Sequence, residues 1–280
     1  MNNCLSGRVP RTLAALSRVR TIDLSGNMLS GALPAELGRL PELTLLVLSD
    51  NQLTGSVPGD LCGGDEAESS SLEHLMLSTN NFTGEIPEGL WRCRALTQLD
   101  LANNSLSGGI PASLGELGNL TDLLLNNNSL SGELPRELFN LTELQTLALY
   151  HNELSGRLPD AIGRLVNLEV LYLYENQFAG EIPESIGDCA SLQLIDFFGN
   201  RFNGSIPASM GNLSKLIFLD FRQNELFMLY NNSLGSLPQL GELALSNNRV
   251  RRSNPGAAQQ LLQAPEAVAR QQPDQWNSAA

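Results

Sequence analysis

Basic residues are scarce in this 280-residue chain: 17 Lys and Arg stand against 30 Asp and Glu, a formal net charge of −13. That deficit excludes a nucleic-acid backbone as partner, because phosphate binding needs a positive footprint. Long apolar runs are missing as well. None approaches the 18 or so residues of a membrane span, so no direct membrane insertion is expected. Met1 is followed by neither a basic nor an apolar stretch, so no secretory signal is read. Cysteines number four, too few for a disulfide scaffold in a chain of this length. Aromatic residues make up 5%, yet the apolar share of 42% is ample for a core. Signatures of catalysis are absent too, with no H-E-x-x-H, G-x-S-x-G, P-loop or dinucleotide fingerprint.

What the chain has in abundance is an internal period. An Asn followed two residues later by Leu or Phe, or by Val at the last, recurs at Asn3, Asn27, Asn51, Asn80, Asn104, Asn128, Asn152, Asn176, Asn200, Asn224 and Asn248. Every interval is 24 residues except the 29 between Asn51 and Asn80. Apolar residues precede each later Asn by eight, five and three positions, as Leu96, Leu99 and Leu101 precede Asn104. The unit reads L-x-x-L-x-L-x-x-N-x-L-S-G-x-I-P-x-x-L-G-x-L-x-x. L-x-L is a short strand with alternate side chains inward. The Asn faces inward, its amide bonding the backbone of neighbouring turns. S-G-x-I-P is read as a turn onto the convex side, and L-G-x-L as the last core residues. A single unit cannot bury its own apolar edge, so units stack into a solenoid. The expected fold is an α/β-type repeat superhelix of about ten 24-residue units with a parallel concave sheet over residues 1–248, followed by a non-repeat, disordered tail at 249–280.

The blocks Leu106-Ser-Gly-Gly-Ile-Pro111 and Asn200-Arg-Phe-Asn-Gly-Ser-Ile-Pro207 resemble the plant-specific class of leucine-rich repeat, and in particular the ectodomains of plant leucine-rich-repeat receptor kinases. The segment Leu61-Cys-Gly-Gly-Asp-Glu-Ala-Glu-Ser-Ser-Ser-Leu72 is similar to the extended repeat of the GASSHO-type receptors. The resemblance runs from residue 3 to residue 248. It implies a right-handed superhelix at the extracellular face of the plasma membrane, a secreted and tyrosine-sulfated peptide as ligand, and a co-receptor kinase as second partner. It also implies a cysteine-bearing cap, a transmembrane helix and a serine/threonine kinase domain. The sequence holds none of these, so a stretch of ectodomain is expected. The alternatives are a truncated non-signalling receptor product, or a secreted inhibitor or recognition protein similar to polygalacturonase-inhibiting proteins.

The pattern breaks twice. The five extra residues after Asn51 fall in the polar segment 63–71, read as a surface loop. In the irregular repeat 224–248, Phe227 to Asn231 replaces S-G-x-I-P while Leu234, Gly235, Leu237 and Leu240 keep the pattern. One registered but defective unit is the preferred reading. The other takes Phe227, Leu229, Asn232 and Leu234 as the remnant of excised repeats. Cys62 and Cys93 flank the insertion and can pair in an oxidising compartment. Cys189 stands where other units carry Leu117 or Leu165, and reads as a buried apolar residue. Cys4 has no partner in sight. Glycosylation sequons occur at Asn81, Asn103, Asn119, Asn127, Asn140, Asn203, Asn212 and Asn231, though a repeat rich in Asn and Ser generates them cheaply.

The only histidines, His74 and His151, lie three strands apart, roughly 14 Å at about 4.8 Å per strand, so no metal site, cofactor or enzymatic centre is expected. Binding is read instead on the outward strand positions, six, four, two and one residues before each ladder Asn. In the first five strands these include Ser25, Ser49, Ser78, Ala102 and Asn126. From the sixth they change to Tyr150, Tyr174, Phe198 and Arg222 in one row, then Ala148, Tyr172, Asp196 and Asp220 in the next. Thr146, Val170, Leu194 and Phe218 form a third row. Side chains pointing away from a core are not needed to fill it, and apolar patches rimmed by charge mark interaction sites. The bland alternative is stacking that merely supports the sheet. The candidate ligand residues are Tyr150, Tyr172, Tyr174, Asp196, Phe198, Phe218, Asp220 and Arg222. Glu175 is expected to join the aspartates in favouring a basic ligand end, with Arg222 the lone candidate for a sulfate.

Overall fold

A computed structural model describes residues 3–63, 70–228 and 234–249. The segment 64–69, the residues 229–233 with Asn231, and the tail 250–280 lie outside the described residues. Each rung begins with a three-residue strand whose middle side chain points inward and, in all but the last, is buried: in Val170–Tyr172, Leu171 is fully enclosed between two outward neighbours. Ten such strands, from Thr21–Asp23 to Glu242–Ala244, pair in parallel in chain order and form the concave sheet. The register passes the insertion unchanged, with Leu46 opposite Leu75. It also continues through the irregular repeat, where Leu219 lies opposite Leu243.

One element departs from expectation. The residues after each ladder Asn, read as a turn, form a second ten-stranded parallel sheet, from Ser6–Arg8 to Glu225–Met228. The glycine of S-G lies within that pairing, with Gly132 opposite Leu154 at φ +83°, where an L side chain is strained. In the irregular repeat Met228 stands in that glycine's place. The ladder then slips by one residue, Ser205 pairing with Met228 after Gly204 pairs with Leu226, and Phe227 is left 46% exposed. A bulge of this kind is how a strand accommodates one residue too many.

The return leg carries helix only as single 3₁₀ turns among the described residues, such as Glu184–Asp188 after Pro183. The α component of the expected class is thus reduced to its tightest form. Adjacent turns nearly touch, for a Cβ on Gly115 would overlap the carbonyl oxygen of Glu137, which accounts for the glycine in L-G-x-L. Between the layers runs one continuous apolar core, thickened late in the chain by Phe178, Phe197, Phe202 and Phe221, whose rings meet in sequence at 5.0–6.0 Å.

The ladder asparagines tie the rungs together. Asn152 accepts the backbone N–H of Leu130 in the preceding rung and donates to the carbonyls of Leu125, Leu149 and Tyr150. Asn80 does the same across the insertion, accepting from Leu53 and donating to Leu48. The pattern extends from Asn27 to Asn248. On the convex side Cys62 and Cys93 form a disulfide, their Cα atoms 5.0 Å apart. Cys189 is buried, its thiol donating to the Ile162 carbonyl and pushed up to about 12 by burial. Cys4 is exposed and free.

Candidate functional site

The tyrosines of the sixth and seventh concave strands come together. Tyr150 and Tyr174 stack flat, centroids 4.3 Å apart and planes 10° from parallel. Tyr172 meets both edge-on, at 6.3 and 6.2 Å. His151 closes the same cluster with edge contacts to Tyr150 and Tyr174, and its Nδ1 approaches Glu175 Oε2 at 2.5 Å. All three tyrosines are half-buried. Burial is the main cause that raises Tyr172 and Tyr174 above the usual phenol range, so both remain neutral donors.

The charged residues sort differently from expectation. Asp220, expected at an outward position facing a basic ligand end, is fully buried. Its Oδ1 accepts the Arg222 backbone N–H, and its Oδ2 accepts Arg222 Nε at 2.8 Å and Nη2 at 2.6 Å. The same guanidinium lies 5.3 Å from the centre of the Phe198 ring. Arg222 is therefore engaged on both sides, which removes the one candidate for a sulfate in this stretch. Asp196 is half-buried, and its Oδ1 accepts the Phe198 backbone N–H. Among the described residues its other oxygen has no partner. Burial pushes its carboxyl up to about 7, helped by Asp220 and Glu175 and opposed by the Phe198 N–H and Arg222.

This arrangement has a repeat rule that the strand pattern alone did not reveal. Asp23, Asp100, Asp196 and Asp220 all stand four residues before a ladder Asn, and each accepts the backbone N–H two residues on. An Asp in that slot caps its own strand by default, and the recurrence at a fixed offset was the signal available. Concave outward positions carry eight acids, Asp23, Asp50, Asp100, Asp122, Glu175, Asp196, Asp220 and Glu242, against the single Arg222. Phe218 lies half-buried at the edge of the aromatic stretch, opposite Leu194 and Glu242. No group of His, Cys, Asp and Glu suited to a metal occurs among the described residues.

The family model for the Leucine Rich Repeat matches residues 18–40, 42–63, 71–93, 95–117, 119–141, 143–165, 167–189 and 191–213. The chain belongs to the leucine-rich repeat family. Among solved structures, this leucine-rich repeat chain is similar to the plant peptide hormone receptor RGFR1 in complex with RGF2, at 38% identity and a TM-score of 0.83. That match covers 88% of this chain and 39% of the receptor. The ectodomain of the plant membrane receptor kinase GASSHO1/SCHENGEN3 from Arabidopsis thaliana, in complex with CASPARIAN STRIP INTEGRITY FACTOR 2, matches at 40% identity and a TM-score of 0.66 over 88% of this chain and 35% of its own. The Arabidopsis receptor kinase HAESA, in complex with the peptide hormone IDA and the co-receptor SERK1, matches at 34% and 0.82 over 89% and 41%. The leucine-rich repeat chain thus spans about two-fifths of the length of these receptors. No curated protein matches it.

The sequon asparagines are not equivalent. Asn103 and Asn127 sit in the left-handed turns just off the concave strands, where Asn127 donates to the Asn103 side chain at 2.7 Å. Asn119 donates to the Arg94 carbonyl, and Asn140 accepts from Arg164. Asn81 and Asn203 lie in the second sheet, and Asn212 is exposed at the end of a 3₁₀ turn. No helix among the described residues is long and apolar enough to cross a membrane.

Proposed function

We propose that this chain is the ligand-recognising stretch of a plant receptor-kinase ectodomain at the outer face of the plasma membrane. It binds an extended secreted peptide along the concave strands from Thr146 to Arg222 and acts with a co-receptor kinase. The observation that carries the reading is the row of rings Tyr150, Tyr174 and Phe198, with Tyr172 beside it. These are large, half-buried side chains on the solvent side of a sheet whose core is already complete. Strands about 4.8 Å apart offer successive contacts to an extended chain. Rigid aromatics are the side chains that concentrate binding energy, about 2 kcal/mol or more each at the centre of an interface. The resembling receptors are solved with peptide hormones and, in one case, a co-receptor, which supports the same kinds of partner here. Kinship with the GASSHO type rests on the segment Leu61 to Leu72 and the 40% identity. With Arg222 held by Asp220, a sulfated tyrosine finds no cation in this stretch, so the ligand region seated here is neutral or basic.

The test is selection of a random octapeptide display library on the full chain, followed by calorimetry of the enriched sequences. Tyr174→Ala and Phe198→Ala are each expected to weaken binding by about thirtyfold, which is the 2 kcal/mol above. Peptides that bind both variants as tightly as the parent, but lose affinity on Asp23→Ala, would place the site on the wrong half of the sheet.

A further inference from the structure

Four side chains form one cell of the concave face. Tyr172 and Asp196 are cross-strand partners. Tyr174 and Phe198 stand two residues further along the same two strands, on the same side. All four are half-buried. Contacts along the row of rings are uneven. Tyr174 lies flat on Tyr150, and Phe198 lies under the Arg222 guanidinium. Tyr174 and Phe198, by contrast, make no ring contact with each other, although their strands are neighbours. Each ring is in contact with its neighbour on the far side.

The adjoining cell shows what this geometry accepts. There the chain's own Arg222 rests on the Phe198 ring while Asp220 takes its Nε and Nη2. One rung earlier the aromatic and the aspartate are both repeated, as Tyr174 and Asp196, but position 198 carries Phe instead of Arg. Asp196, opposite Tyr172 and two residues before Phe198, is left with an unpartnered carboxylate oxygen, on a sheet surface that is acidic overall.

We propose that the cell formed by Tyr172, Tyr174, Asp196 and Phe198 seats a basic side chain, arginine or lysine, of the peptide ligand. The inference rests on the peptide reading above and specifies the chemistry of one position in that peptide. Aromatic faces attract a cation through their quadrupoles, and the attraction grows as the site is desolvated. The carboxylate supplies a charge-assisted hydrogen bond, stronger than a neutral one.

A pH dependence follows from the same cell. Burial holds the Asp196 carboxyl up, aided by Asp220 and Glu175 which face it, while the Phe198 N–H and Arg222 pull the other way. Tyr172 and Tyr174 stay neutral, and Glu242 faces Arg222 rather than Asp196. A cation is seated by the ionised carboxylate, so below about pH 7 the cell must first lose a proton. Affinity for the basic residue is therefore expected to fall about thirtyfold from pH 8 to pH 5.5.

The experiment is the octapeptide selection at pH 7.5, followed by titration of enriched peptides at pH 8 and pH 5.5. Arginine or lysine is expected at one fixed position, and citrulline or glutamine there should weaken binding at least tenfold. Asp196→Asn keeps an acceptor for the Phe198 N–H, so the fold is retained. It should cost a similar factor and flatten the pH profile, whereas Asp23→Asn, which removes a like-placed carboxylate seven strands away, should do neither. Enriched peptides without a basic position, or unchanged affinity on Asp196→Asn, would overturn the seat while leaving peptide recognition standing if Tyr150→Ala still abolishes binding. Failure to enrich any peptide would overturn both.

Discussion

The residue before every ladder asparagine is left-handed: Gly26, Asp50, Thr79, Asn103, Asn127, His151, Glu175, Gly199, Gln223 and Asn247 all have φ between 51° and 65°. Gly, Asn and Asp tolerate that conformation, whereas a β-branched Thr79 is strained there. The turn exists because the asparagine that follows must fold inward, where its amide serves two rungs at once. Asn152 makes four hydrogen bonds to backbone groups, three of them between 2.9 and 3.1 Å. Leucine fits the space but leaves those groups without partners. Asn152→Leu is expected to lower unfolding free energy by about 1–3 kcal/mol in urea titration. A denaturation midpoint equal to the parent's would contradict the account. The inward asparagines were legible from spacing alone. The left-handed slot before them was legible only in retrospect, from its enrichment in Gly, Asn and Asp, because four of its ten occupants are other residue types. The Asp220–Arg222 pair was not legible at all. Two residues apart on one strand, both read as outward, and only the depth of Asp220 under the Arg222 side chain decides between a free and a spent charge.

At the scale of elements, the concave strands follow directly from L-x-L, since a period of two with buried middles permits little else. The second sheet hid behind Ser, Thr and Gly, which read as turn chemistry. What overrides that reading is stacking: the same segment in the next rung supplies the missing partners, as Leu130 beside Gly108 and Phe178 beside Gly156 show. The convex side is closed by 3₁₀ turns, and at one place by covalency. Cys62 and Cys93 enclose 31 residues of separation that include the insertion. In the chain-entropy account a loop of that size contributes about 3–4 kcal/mol by restricting the unfolded chain. Replacing both cysteines by Ala is expected to lower stability by about that amount, measured by urea titration under oxidising conditions, and to abolish the effect of a reductant on the parent protein. A parent protein equally stable with and without reductant would show that the pair does not carry that load.

For the whole molecule, both sheets are paired only between consecutive rungs, the concave partners 24 residues apart or 29 across the insertion, so no strand pairing among the described residues joins distant parts of the chain. Stability is then close to a sum over rungs and their interfaces. Pulled from its two ends in an optical trap, the solenoid should lengthen in steps of about 80 Å, the extended length of 24 residues. A single large rupture would contradict nearest-neighbour stacking. The disulfide changes how tension passes through this ladder. Force travels from Cys62 to Cys93 through the sulfurs, so the chain between them adds no length when its rung gives way. Reduction would put that stretch in series with the rest, so the redox state of one convex bond sets how much length the protein can yield under strain.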